Sequence, residues 1–67
     1  MSAEESKLIE VLTTLELEKQ TIIAIMLYLK EKKVGPLLLM ESLKALNPKE
    51  INEEILIEKI DELSTQK

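Results

Sequence analysis

Ile22-Ile23-Ala24-Ile25-Met26-Leu27-Tyr28-Leu29 is an unbroken apolar run in a 67-residue chain of which 33% is charged. A surface helix needs apolar residues on one stripe only, whereas a helix apolar all round has to be covered on every side. Read as a helix, the run therefore asks to be wrapped by the rest of the chain, a second copy, a partner protein or lipid. It would be about 12 Å long, far short of the ~30 Å hydrocarbon core of a bilayer, so it predicts no transmembrane segment.

Upstream of the run, Leu8, Val11, Leu12 and Leu15 recur at i, i+3, i+4 and i+7, which is one helical face. Ser2 with Glu5, or Ser6 alone, suits the start of that helix. No Gly or Pro follows until Gly35, so a single helix to Lys33 is open to this stretch. A helix of that length favours a three-helix arrangement or an intertwined dimer. A break at Thr13 is the preferred reading, because Thr13 and Glu16 have capping-box spacing and Leu12 and Leu17 stand at staple positions. The second helix then covers roughly residues 15–33. Ile22, Ile25, Met26 and Leu29 form its main face, Leu17, Ala24 and Tyr28 a second, and Ile23 with Leu27 fill the gap between them. Lys30, Lys32 and Lys33 suit the negative end of its dipole, and Val34-Gly35 supplies a stop that tolerates left-handed backbone.

Downstream, Pro36 takes the first helical position, where its missing N–H costs nothing. Leu39, Leu43 and Leu46 make the third stripe. Asn47-Pro48-Lys49-Glu50 is the clearest local signal: Asn47 caps, Pro48 starts the turn, Glu50 closes the capping box, and Leu46 and Ile51 are placed as a staple. Ile51 lies opposite the next stripe, Leu56, Ile60 and Leu63 flanked by Ile57, so Asn52 is expected to restart the helix after a short turn at 48–51. No segment alternates with period two. The fold class is all-α: a small compact bundle of about four helices, five if the short turn is counted, with the second helix central and covered by the other three. Residues 1–67 form one helical domain, with 1–5 and 64–67 expected to fray.

Composition removes several functions. The chain has no Cys and no His, Arg, Trp or Phe, and Tyr28 is its sole aromatic. Without Cys there is neither a disulfide nor a thiolate nucleophile, and without His the commonest metal ligand and neutral-pH base is missing. No catalytic residue, metal site or cofactor is expected. Calcium loops draw their ligands from a short Asp/Asn/Gly-rich loop, and none occurs. The net charge of −4 disfavours nucleic acid and anionic membrane surfaces as partners. The acidic, polar start Met1-Ser2-Ala3-Glu4-Glu5-Ser6 is unlike a secretory signal, and a soluble cytoplasmic protein is expected. High Lys and Glu with few thermolabile residues is the composition of hyperthermophile proteins, and equally of any Glu/Lys-rich bundle.

Three groups of residues stand out once the stripes are assigned. Ile23, Leu27, Leu37 and Leu38 have no evident place in one four-helix core. A small globule without Phe or Trp can need every aliphatic inside. The alternative is an exposed patch for self-association or a protein partner, with Met40 joining Leu37 and Leu38 at its edge. Glu54, Glu58, Asp61 and Glu62 project together from the last helix, as a solvated acidic face or as a docking surface for a basic partner. Lys30, Lys32 and Lys33 lack the Gly-rich loop of a phosphate site and read as dipole and solubility charges.

Two resemblances follow from this layout. The helix, the turn at Val34-Gly35, the short helix from Pro36 and the next helix are spaced like a helix-turn-helix unit. The resemblance implies a reader helix. The candidates offer Leu37, Leu38, Leu39 and Met40, or Glu50, Glu53, Glu54 and Glu58, where base readout uses Arg, Lys, Asn or Gln; contacts to protein rather than DNA are implied. The unequal helices and abundant aliphatics also resemble the saposin-type lipid-binding fold, which implies a lipid or apolar ligand. That family carries six cysteines and this chain has none, so no site residue transfers. The leading expectation is a non-enzymatic interaction or assembly module, ahead of a lipid carrier and a helix-turn-helix-like regulator.

Overall fold

The computed structural model describes residues 3–65. Four α-helices follow one another with short connections: α1 (Ala3–Thr14), α2 (Lys19–Glu31), α3 (Pro36–Lys44) and α4 (Glu53–Thr65), with a 3₁₀ turn at Pro48–Glu50 before the last. This is the all-α bundle that the periodicity implies, and no strand occurs among the described residues. α1 packs on α2 and α3, and α4 packs on the same two, so the helices close a ring around one core. The radius of gyration of 10.7 Å agrees with the ~11 Å expected for a closed globule of this length. A long α1–α2 helix and an intertwined dimer are not needed.

The core is aliphatic throughout. Leu8 and Leu12 of α1, Ile25 and Leu29 of α2, Leu39 and Leu43 of α3, and Leu56 and Ile60 of α4 meet inside, with Ile22, Val34 and Ile51 closing it. These are the inward positions of each stripe, and no polar side chain is buried among the described residues. Val11, Leu15, Met26, Leu46, Ile57 and Leu63 are half-buried around them.

Three local readings need correction. The break between α1 and α2 falls at residues 15–18, so the second helix is shorter than 15–33. Thr13 does not cap it: the hydroxyls of Thr13 and Thr14 donate back to the carbonyls of Ile9 and Glu10 at 2.7 and 2.8 Å, inside the last turn of α1. Glu16 ends α1 in the left-handed region at φ 63°, with its N–H on the Thr13 carbonyl at 3.0 Å. The stop of α2 lies one residue earlier than Val34-Gly35. Lys33 takes the left-handed conformation at φ 58°, and the Lys33 and Val34 amides bond to the Lys30 and Leu29 carbonyls, both at 3.1 Å. That Schellman arrangement buries Val34 beside Leu29 in the core, which is what fixes its position. Gly35 then serves as the extended residue before Pro36 at φ −69°. At the termini, helix continues to Ala3 and to Thr65, while the rest of 1–5 and 64–67 lies outside the described residues.

The Asn47 and Asn52 signals are realised as separate caps. Asn47 Oδ1 accepts from the Lys49 amide at 3.0 Å, and Asn52 Oδ1 accepts from the Ile55 amide at 2.9 Å. The chain turns between them so that Ile51 enters the core, although its phase disagrees with the stripe of α4. α2 and α4 are further joined by the Tyr28 hydroxyl, which donates to the Asp61 carboxylate.

Candidate interaction surface

The expectation that three helices cover α2 is the main correction. α2 packs chiefly against α1 and α4, and the two flanks they cover leave its outer side bare. Ile23 is 50% and Leu27 63% exposed, and Ala24 is exposed beside them. At the start of α3, Leu37 and Leu38 are 48% and 53% exposed. These are the large hydrophobics that stand in solvent among the described residues. Met40 differs from them: it is half-buried against the core and does not extend the patch.

The structure brings only part of this set together. Ile23 and Leu27 border an open groove of about 590 Å³ between α1 and α2. The α2 wall adds Ile22 and Met26, and the α1 side contributes Ile9, Thr13 and, past the end of the helix, Leu17. Leu37 and Leu38 do not line it. The charged groups at the groove are Lys19 and Lys30 from α2 and Glu5 from α1.

The α2 wall has a simple helical origin. Lys19, Ile23, Met26 and Lys30 stand at i, i+4, i+7 and i+11, a single row along the helix. The row is apolar in the middle and cationic at both ends, about 16 Å apart along the axis. Neither lysine has an ion pair among the described residues; the pairs present are Lys44–Glu41 at 3.0 Å and Lys59–Glu62 at 3.2 Å. The row is legible in the sequence, but Ile9 and Leu17 are not identifiable as its opposite wall, because that depends on how α1 lies on α2.

The acidic face of α4 is divided. Glu54 and Glu58 are exposed and free of ion pairs among the described residues. Glu62 pairs with Lys59 on its own helix, and Asp61 is turned to Tyr28. The tyrosine ring also carries Lys32, with Nζ 5.5 Å from its centroid. The hydrogen bond to the Asp61 carboxylate is the main reason the Tyr28 hydroxyl is held above its ordinary pKa of 10.0; a smaller part comes from desolvation and nearby negative charge. This cluster clasps two helices.

Among the described residues no group of His, Cys, Asp and Glu side chains is placed to hold a metal ion. No helix among them is long and apolar enough to cross a membrane. No protein-family model matches the chain, and no curated protein and no solved structure is significantly similar to it.

Proposed function

We propose that this protein is a non-enzymatic interaction or assembly module that works through its exposed aliphatic side chains. The observation that carries the reading is the bare side of α2, where Ile23 and Leu27 stand half or more exposed over an apolar groove. Exposed aliphatics scattered singly are ordinary, whereas several gathered around a concave apolar surface mark a contact site. The interior is already filled by buried residues from all four helices, so these side chains are not needed to complete the core.

The test is solution mass by sedimentation equilibrium, from low micromolar to near-millimolar protein, for the parent and for Leu27→Glu and Leu38→Glu. An assembly surface gives a concentration-dependent mass that is insensitive to salt and is lost in one variant while thermal stability is kept. A protein that stays monomeric throughout and binds no amphipathic helix removes the reading. The groove also has the volume of a small-molecule site, which keeps a second reading, an apolar ligand such as a lipid chain, tied to the same residues. Lipid in organic extracts of the purified protein would favour that second reading.

A further inference from the structure

Resting on the interaction reading above, we infer that the α1–α2 groove is built for an acidic amphipathic helix of a partner protein, lying along α2 with its apolar stripe against Ile23, Met26 and Leu27. Three observations on this groove converge. Its shape suits a further helix: α4 packs on α2 and α3 packs on α1, and the seam between α1 and α2 is an open apolar groove. A helix docks in such a seam through aliphatic anchors at i, i+3 or i+4, and i+7, about 10 Å of its length. That fits between Lys19 and Lys30.

The charges select the sign of the partner. The chain as a whole carries −4, yet the groove is bordered by two lysines and one glutamate. Lys19 and Lys30 sit on one row of α2, three turns apart, with Ile23 and Met26 between them. Neither is engaged by an acid of its own chain among the described residues. A partner helix with acidic residues about three turns apart beside its apolar stripe meets both ammonium groups while its aliphatics fill the groove. A second copy fits less well. If two copies paired α2 to α2 in antiparallel fashion about a two-fold axis, Lys19 of each would be brought beside Lys30 of the other, since matching flanks meet in that arrangement. The exposed acids of α4 offer no bare aliphatic stripe to insert.

The probes are two synthetic alanine-based helical peptides sharing one leucine stripe, one with Glu at two flanking positions three turns apart and one with Lys there. Binding is read by titration and by the methyl resonances of Ile9, Ile23, Met26 and Leu27. The inference expects the Glu peptide to shift those methyls, to bind about tenfold more tightly than the Lys peptide, and to weaken as salt is raised. The Lys19→Glu, Lys30→Glu double variant should reverse the preference. The Lys19→Gln, Lys30→Gln pair, which places no new acid on α2, should abolish it without a change in helicity. Equal binding of both peptides, binding of neither, or shifts confined to Leu37 and Leu38 would overturn the inference. So would groove methyls already perturbed in peptide-free protein with a concentration-dependent mass; a second copy would then be the occupant, and the interaction reading would survive alone. If dodecanoate shifts the methyls and neither peptide does, the inference fails in favour of an apolar ligand, and the interaction reading fails with it where the mass also stays monomeric throughout.

Discussion

Tyr28 is the residue whose chemistry is most sharply defined. Its hydroxyl donates to Asp61, and a phenolate could not, so folding favours the protonated form and the pKa rises above 10.0. The sign for stability follows from linkage. The contact contributes fully below the unfolded value of 10.0 and is lost as pH climbs through the higher folded value, because the folded chain binds more protons across that window. As the sole aromatic, Tyr28 can be titrated by tyrosinate absorbance without interference. Asp61→Asn is expected to bring its pKa back toward 10.0, and an unchanged titration would mean that the hydrogen bond does not form in solution. Glu16 is informative in another way. A side chain in the left-handed region costs roughly 1–2 kcal/mol, and glycine there would cost about 0.5–1 kcal/mol in chain entropy. Glu16→Gly should therefore raise stability by about 0.5–1 kcal/mol, seen as a higher urea midpoint at unchanged slope.

At the scale of elements, the helices divide by how they are capped. α4 starts with a side-chain cap from Asn52, whereas Glu18 and Gly35 give α2 and α3 no side-chain hydrogen bond. Asn52→Ala should cost about 1 kcal/mol in chemical denaturation, because the Ile55 amide loses its acceptor. The Asn47 and Asn52 signals were readable because a cap is a local contract among a few neighbouring residues. The boundary at Thr13 was misread for the same kind of reason. Thr13-Thr14-Leu15-Glu16 carries the spacing of a helix start, but threonine hydroxyls also bond back into a helix they end, and spacing does not distinguish the two. With the turn at residues 15–18, Leu17 lies partly buried against the core.

On the scale of the molecule, the bundle closes with little to spare. A domain this small buries only about 60% of its unfolded surface, and its core has no aromatic residue to add area. Truncation of a fully enclosed side chain is expected to remove much of the stability: Leu56→Ala should cost about 2–5 kcal/mol by thermal or urea unfolding. Leu27→Ala, at a site 63% exposed, should stay within about 0.5 kcal/mol. If the two variants were equally destabilised, α2 would be covered in solution on the side that is bare here. The contrast also separates an aliphatic kept for the core from one kept for contact.

The helical class, the proline punctuation, the inward stripes and the surplus of Ile23, Leu27, Leu37 and Leu38 were all determined by the sequence alone. They depend on a 3.6-residue period and on caps, which neighbouring residues decide among themselves. The run from Ile22 to Leu29 demanded cover but carried no information about which side would lack it. That was decided by the tertiary structure. The ring of four helices sets α2 against α1 and α4, leaves its outer side in solvent, and places Ile9 and Leu17 opposite Ile23 and Leu27. It also keeps Leu37 and Leu38 out of that groove and draws Met40 toward the core. The physical reason is that a helix's period specifies its faces, while the neighbour that each face meets is set by contacts between segments far apart in the chain.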